Sequence, residues 1–184
     1  MNDQADIGLI AAYQQGDARA FRKVFDLYRD RIYALCHSMS GNAEDAEDLT
    51  QEVFVSAFRN IGAYRAEAAF GTWLYRIAAN RCAAELRKRT PKFRSFNVAD
   101  ESDGPASPPN PEDLVVRKEL TDRVELALAA LPESQRLLFV LGTLEGMRYK
   151  EIGEIVGCSE DAAKQRIHRA RKQVRDALRP YIEG

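Results

Sequence analysis

The stretch YKEIGEIVGCSEDAAKQRIHRARKQVRDAL, residues 149–178, decides the fold of the C-terminal part of the chain. It predicts a short helix, a turn at Val156-Gly157-Cys158, and a longer helix with Ser159 as its N-cap. Two helices joined by a glycine-containing turn of three or four residues form a helix-turn-helix. The sequence therefore predicts a motif that commonly places its second helix in the major groove of DNA.

The second helix of this motif carries far more positive charge than the chain as a whole. From Lys164 to Arg179 there are seven Lys or Arg residues and one acid, Asp176, whereas the formal net charge of all 184 residues is −1. A solvated cationic face near a helix C-terminus is the alternative interpretation, but the helix-turn-helix pattern favours DNA. The residues expected to contact base edges or phosphates of duplex DNA are Lys164, Gln165, Arg166, His168, Arg169, Arg171 and Lys172.

A proline-rich segment divides the chain. Residues 89–113 contain five of the seven prolines, many Ser and Asp residues, and no sustained hydrophobic periodicity. Because proline removes a backbone donor and restricts the residue before it, this segment predicts an extended linker. We therefore expect an all-α protein of two small helical domains, residues 1–90 and 114–184, joined by a flexible acidic linker over residues 91–113.

Three helices are predicted in the N-terminal domain. The first begins after Asp17 as N-cap and ends at Gly41, and its apolar residues recur at three- and four-residue steps. The second begins after Asn42 and is closed by Gly62, and the third runs over about residues 72–89. Because no segment combines alternating apolar residues with hairpin turns, a helical bundle is expected.

A second nucleic-acid signal lies in AAFGTWLYRIAANRCAAELRKR, residues 68–89, where aromatic and basic residues are mixed. Exposed aromatic rings stack on unpaired bases while cations follow the backbone, which suits single-stranded DNA. For Trp73 and Tyr75, packing in the core is an equally supported alternative. One domain suited to duplex DNA and one suited to separated strands suggest a protein that binds DNA while the duplex is being opened.

The segment EDAEDLTQEVF, residues 44–54, places carboxylates at three- and four-residue steps on one side of a predicted helix. Such a face is usually only solvated, and carboxylates near a helix N-terminus are also favoured by the helix dipole. Because an acidic face does not bind DNA favourably, a functional role for it would be docking on a protein.

Several other kinds of site find no support in the sequence. Cys36, Cys82 and Cys158 lie far apart, and a zinc site including His37 and His168 would need scattered segments, so buried thiols are favoured. There is no P-loop, no clustered metal-binding carboxylates and no nucleophile–His–acid pattern, so we expect no catalytic residue, cofactor or small-molecule substrate. No leader pattern and no run of about 20 apolar residues occurs, and a cytoplasmic location is expected.

Three segments in order make the resemblance to a family specific: DAEDLTQEVF, FGTWLYRIAANRCAAELRKR and LPESQRLLFVLGTLEGMRYKEIGEIVGCSEDAAKQRIHRARKQV. Together they resemble the extracytoplasmic-function (ECF) sigma factors of bacterial RNA polymerase, in the sigma-70 family, over nearly the whole chain. The resemblance implies region 2 over residues 1–90 and region 4 over residues 114–184. In this family region 2 binds core polymerase and recognises and melts the −10 element, and region 4 recognises the −35 element.

The resemblance also implies partners and site residues. In the family the acidic helix binds the β′ clamp helices of polymerase, region 4 binds the β flap, and an anti-sigma factor commonly restrains the protein until a stress or envelope signal. Binding to core polymerase is assigned by resemblance to Asp45, Asp48, Gln51, Glu52 and Phe54. Contact with the −10 element is assigned to Tyr64, Arg65, Phe70, Trp73, Arg76, Asn80 and Arg87. Contact with the −35 element is assigned to the seven residues of the cationic helix named above.

Two departures from the family pattern concern the promoter sequence rather than the class. Ala84 stands where the family often has Asp, and residues 163–166 are AKQR where VKSR is common.

One alternative is a one-component helix-turn-helix regulator that binds duplex DNA, which would need a ligand or dimerisation domain. A nucleic-acid-processing enzyme is another, and it would need a clustered acid or histidine site.

Overall fold

The computed structural model describes residues 3–89 and 121–182. Each range holds four helical segments, with a 3-10 turn at Ile61–Ala63 in the first and a π-helical turn at Val140–Leu144 in the second. The segments are α1 Asp3–Gln14, α2 Ala18–Ser40, α3 Ala43–Asn60, α4 Phe70–Arg89, α5 121–129, α6 Glu133–Phe139, α7 Tyr149–Val156 and α8 Glu160–Ile182. Neither range contains a strand, and the all-α prediction is confirmed.

The ends of α2 and α3 are set by the capping residues that the sequence indicates. The Asp17 carboxylate accepts a hydrogen bond from the backbone N–H of Arg19 at 2.9 Å. Gly41 ends α2 in the left-handed region with a φ of 78°. The Asn42 side chain accepts from the backbone N–H of Asp45 at 2.9 Å and begins α3. These helix ends are therefore decided by local chemistry.

Helix α1 is an element that the sequence pattern did not predict. Its apolar residues are spread around the helix rather than gathered in one stripe, so they give little periodic signal. The buried Asp6 carboxylate holds α1 on α2 by accepting a hydrogen bond from the hydroxyl of Tyr28 at 2.5 Å. Tertiary contact, not amphipathicity, thus places this helix.

Other helix bounds differ by one or a few residues from the expected ones. Helix α3 ends at Asn60 instead of Gly62, because the 3-10 turn takes over at Ile61. Helix α6 begins after Pro132, whose extended backbone forms its N-cap. The last helix continues through Pro180 to Ile182. The linker predicted over residues 91–113 lies outside the described residues.

The two described ranges pack on each other and share one core. Buried Ile32 of α2 and Leu74 of α4 belong to the same apolar cluster as Leu141 and Ile152 from the second range. A separate small cluster joins α5, α6 and α8. Its members are Ala127, Leu128, Leu131, Phe139, Ala170 and Val174. Burial of apolar area therefore stabilises the contact between the N-terminal and C-terminal helices as well as each group itself.

Helices α7 and α8 form the predicted helix-turn-helix. Gly157 lies in the left-handed region with a φ of 74°, and its N–H donates to the Gly153 carbonyl at 2.8 Å. A Cβ atom at Gly153 would lie 2.6 Å from the carbonyl oxygen of Cys158, so the turn approaches α7 more closely than a side chain permits. Ser159 Oγ accepts from the backbone N–H of Ala162 at 3.2 Å, as expected for the N-cap of α8.

Candidate nucleic-acid and docking surfaces

The first turns of α8 present the predicted DNA-binding residues to solvent. Burial of Ala163, Ile167 and Ala170, each 0% exposed, fixes the rotation of the helix. The side chains left on its exposed side are Lys164, Gln165, Arg166, His168 and Arg169. This arrangement provides amide, imidazole and cationic groups within reach of a docked duplex, which is the chemistry that base edges and phosphates require.

Arg171 occupies a different position from the other cations of α8. Its Nε donates to Thr143 Oγ1 at 3.0 Å, and its Nη2 donates to the carbonyl oxygen of Gly142 at 2.7 Å. The guanidinium therefore joins α8 to the π-helical turn, whereas Lys172 on the next position is exposed. Sequence alone did not separate these two roles, because both residues are cations at neighbouring positions.

The start of α7 is fixed by a charged cap. The Glu151 carboxylate accepts from the backbone N–H of Arg148 at 2.9 Å and from its guanidinium Nη2 at 2.7 Å. These hydrogen bonds from Arg148 lower the pKa of Glu151, while partial burial opposes the shift. The cap holds the first helix of the helix-turn-helix in register with the loop before it.

The aromatic residues before and in α4 form one cluster. The ring centroids of Tyr64, Phe70 and Trp73 lie 5.4–5.5 Å apart, and the Tyr64 hydroxyl donates to the carbonyl of Ala68 at 2.7 Å. Phe70 is 1% exposed, whereas Tyr64 and Trp73 are half-buried. Phe70 thus supports the other two rings from the core side, and their partial exposure leaves them accessible to an unpaired base.

Polar members of the predicted −10 set lie on the surface. Arg65 in the loop and the α4 residues Arg76, Asn80 and Arg87 are exposed. The Arg76 guanidinium is engaged, because its Nη2 donates to the backbone carbonyl of Glu154 on α7 at 2.7 Å. Arg65, Asn80 and Arg87 are exposed on the same loop and helix that carry the aromatic cluster.

Tyr75 packs in the core, which is one of the two alternatives that the sequence left open. Its side chain is 0% exposed, and its hydroxyl donates to the Glu145 carboxylate in the second range. Burial first, and the hydrogen bond to Glu145 next, raise the pKa of Tyr75, so the group stays a neutral donor. It is not positioned to stack on a base.

The predicted acidic residues of α3 divide into exposed and structural members. Asp48, Gln51 and Glu52 are exposed, and Glu52 forms a weak pair with Arg81 Nη1 at 3.7 Å. The Asp45 carboxylate accepts from the Asn42 side chain at the helix start. Phe54 is 5% exposed and packs edge-on against Phe25, with a ring-centroid distance of 4.7 Å.

An apolar groove lies between α2 and α3, next to the exposed acidic row. Its volume is about 710 Å³, and no pattern in the sequence predicted it. Val55 and Phe58 are 42% and 50% exposed and both line the groove, so its apolar surface is open to solvent. The apolar residues that line it are Phe21, Phe25, Tyr33, Phe54, Val55 and Phe58. Their four-residue spacing on two neighbouring helices was the available signal, but it is identical to that of core residues.

The ranges 3–89 and 121–182 contain neither a cluster of metal-ligating side chains nor a membrane-spanning helix. No three His, Cys, Asp or Glu side chains of these ranges are grouped so as to hold a metal ion. The thiol of Cys82 donates to the Cys36 sulfur at 3.9 Å in the core, and this hydrogen bond together with burial raises the pKa of Cys82. None of the helices described is long and apolar enough to cross a membrane.

Comparison with known proteins covers both ranges. Residues 24–91 match the family model of sigma-70 region 2, and residues 121–174 match that of sigma-70, region 4. The chain is 36% identical over 177 residues to the ECF RNA polymerase sigma factor SigW of Bacillus subtilis strain 168, across 92% of this chain and 95% of that protein.

Two solved structures share the fold. CnrH in complex with the cytosolic domain of CnrY superposes with a TM-score of 0.74 at 26% identity, over 96% of this chain and 98% of that one. The sigma factor RpoE of Bartonella quintana, in complex with the anti-sigma factor NepR, gives 0.72 at 24% identity, over 88% and 98%.

Proposed function

The chain belongs to the ECF sigma factors of the sigma-70 family, and from that premise we propose which of its surfaces carry out each step of initiation. As a member of this family it binds core RNA polymerase and directs transcription from specific promoters. In our proposal it contributes no reaction of its own and works in the cytoplasm, where polymerase and promoter DNA are found.

We assign recognition of the −35 element to the exposed start of α8. Lys164, Gln165, His168 and Arg169 would face the major groove, and Arg166 and Lys172 would contact phosphates. Because Arg171 is engaged by the π-helical turn, we assign it to positioning the helix. The single observation that carries this assignment is the exposed polar set on a helix whose opposite side is fully buried.

The −10 element is assigned to the surface around α4. Tyr64 and Trp73 would stack on unpaired bases, and Arg65, Asn80 and Arg87 would follow the backbone of the separated strand. Arg76 joins this set once its hydrogen bond to α7 is released. Phe70 is a core residue beneath the cluster, so we give it a supporting role and no contact with DNA.

Docking on core polymerase is assigned to the groove between α2 and α3 together with the acidic row of α3. A helical partner with apolar residues along one edge and basic residues beside it matches this surface. The β′ clamp helices, which the family binds through region 2, are the partner we propose. The exposed Phe58 would provide buried apolar area on binding, and Asp48 and Glu52 would provide complementary charge.

We also propose that an anti-sigma factor restrains this chain. The Bartonella quintana sigma factor that shares its fold was solved with such a protein bound. In the domain division that we propose, residues 1–90 serve polymerase and the −10 element, residues 114–184 serve the −35 element and the β flap, and residues 91–113 connect them.

The test of the docking assignment is a charge reversal with a matched control. Asp48→Lys should weaken binding of the full-length chain to purified core polymerase at least tenfold and abolish run-off transcription from a pool of genomic fragments. Asp26→Lys makes the same charge change at an exposed position of α2 and should retain both. Equal core affinity of Asp48→Lys and the unchanged chain would refute the assignment.

A further inference from the structure

A carboxylate from the second range lies enclosed by two side chains from the first. The Glu145 side chain is only 7% exposed, and its Oε2 accepts from Arg31 Nε at 2.9 Å. The hydroxyl of Tyr75 donates to the same oxygen. Arg31 also donates through Nη2 to the Glu145 backbone carbonyl at 3.3 Å, and its guanidinium carbon lies 5.8 Å from the Tyr75 ring centre.

These three groups depend on one another. A buried carboxylate without partners carries a large desolvation cost, so Glu145 is stable in this position only while Arg31 and Tyr75 satisfy it. The fully buried Tyr75 hydroxyl needs an acceptor for the same reason. The hydrogen bonds that join these three groups all cross between the two ranges, so they break together if the two sets of helices separate.

Further contacts surround this centre. Arg76 Nη2 on α4 donates to the Glu154 carbonyl on α7 at 2.7 Å, and Arg136 Nη1 on α6 donates to the Met39 carbonyl on α2 at 3.1 Å. Between them Met147 joins the apolar core that both ranges share. The contact between the two ranges therefore combines shared apolar core residues with hydrogen bonds that cross from one range to the other.

The packing places the two proposed DNA-recognition elements side by side. Arg76 of the −10 surface touches α7, the first helix of the helix-turn-helix, at 2.7 Å. Promoter positions −10 and −35 are about 25 base pairs apart, which is about 85 Å along B-form DNA at 3.4 Å per base pair. The 20-residue α4 is only about 30 Å long. The two surfaces therefore do not reach both elements while this contact is closed.

We propose that Glu145, held by Arg31 and Tyr75, latches the free protein in a closed state that excludes simultaneous binding of both promoter elements. The inference rests on the proposed assignment of the −10 and −35 surfaces. The start of α8 stays exposed in the closed state, so one element is accessible and bipartite promoter binding is withheld. Joining core polymerase must then separate the two sets of helices and break the latch.

The latch is tested on the intact chain without polymerase or DNA. The quantity measured is the radius of gyration from small-angle scattering, and the value for the unchanged protein is the reference. Glu145→Ala should raise the radius by several Å, and Arg31→Ala, which removes the partner from the other side, should do the same. Circular dichroism of both variants should retain the helical content.

The matched control is Glu154→Ala. It removes an exposed carboxylate from the same part of the chain but leaves the backbone carbonyl that Arg76 contacts. Its radius should equal that of the unchanged protein. A radius for Glu145→Ala and Arg31→Ala equal to that of this control would overturn the proposal.

A second measurement uses a protease site inserted among residues 100–105 of the unchanged chain and of each variant. After cleavage the two fragments should remain together on gel filtration, and Glu145→Ala should raise their dissociation constant at least tenfold. Fragments of the unchanged chain that separate at micromolar concentration would overturn the latch. Because neither measurement involves DNA or polymerase, a failed latch is distinguishable from a failed assignment of the −10 and −35 surfaces.

Discussion

Replacing Gly153 by alanine should loosen the helix-turn-helix, although alanine is the better helix former. At an open helical position this change gains about 1 kcal/mol. At Gly153 the new Cβ atom would lie 2.6 Å from the carbonyl oxygen of Cys158 and 3.5 Å from the carbonyl carbon of Ser159. Both are main-chain atoms, so the turn itself must move.

The loss in free energy of unfolding is estimated from the hydrogen bonds that hold the turn in place. The N–H groups of Gly157 and Cys158 both donate to the Gly153 carbonyl, at 2.8 and 2.9 Å. Displacing the turn weakens both hydrogen bonds, each worth about 1 kcal/mol, and crowding adds about 1–3 kcal/mol. After the gain in helix propensity, we expect a net loss of about 2–4 kcal/mol, which is a fall in Tm of roughly 5–15 °C.

Thermal unfolding by circular dichroism checks this value. Gly8→Ala in α1, where a Cβ atom would meet nothing within 4 Å, is the control and should raise Tm by a few degrees. Gly153→Ala should also weaken binding of duplex DNA, because the start of α8 follows the turn. If Gly153→Ala unfolds at or above the Tm of the unchanged protein, the close approach of α7 and the turn is refuted.

Three further outcomes are expected. Arg169→Ala should reduce affinity for the preferred −35 sequence by about 1–3 kcal/mol in anisotropy titrations; an equal loss on unrelated duplexes would make it a phosphate contact. Phe58→Asp, at the exposed edge of the groove, should weaken binding to core polymerase at temperatures well below its Tm, which the loss of ring contacts with Tyr13 and Phe21 lowers; an unchanged core affinity would remove the groove from the docking surface. Glu151 has a lowered pKa in the fold, so its cap stabilises α7 above the ordinary value of 4.5 and this contribution is lost as pH falls through the lowered pKa. Acid titration of Tm should show this loss in the unchanged chain and not in Glu151→Gln.

The exposed face of α8 was predictable because its apolar residues recur with a helical period. Once Ile167 and Ala170 are recognised as buried, the position of Lys164 and Arg169 on the opposite side follows from helix geometry. In α4 the helical period does not separate buried from exposed side chains. That helix is covered by α2 and α3 on one side and by α7 on another, so aromatic side chains point in several directions and Trp73 and Tyr75 look alike in sequence.

The docking surface likewise has one part that was predictable from the sequence and one part that was not. The acidic row of α3 was visible as charge at three- and four-residue steps, and the exposure of Asp48 agrees with it. The adjacent groove was not visible, because Phe21 and Phe58 have the spacing of core residues. Whether an apolar residue is buried depends on the neighbouring helix, and a single sequence does not specify that neighbour.

The sequence alone determined the helical class, the caps at Asp17, Asn42 and Ser159, and the cationic helix-turn-helix, since each depends on residues a few positions apart. Only the tertiary structure decided that the two sets of helices share a core and that Glu145 lies between Arg31 and Tyr75. The partners of Glu145 are 114 and 70 residues distant in the chain. Hydrogen bonds over such separations leave no periodic trace, because the free energy that forms them comes from packing of whole helices rather than from local preference.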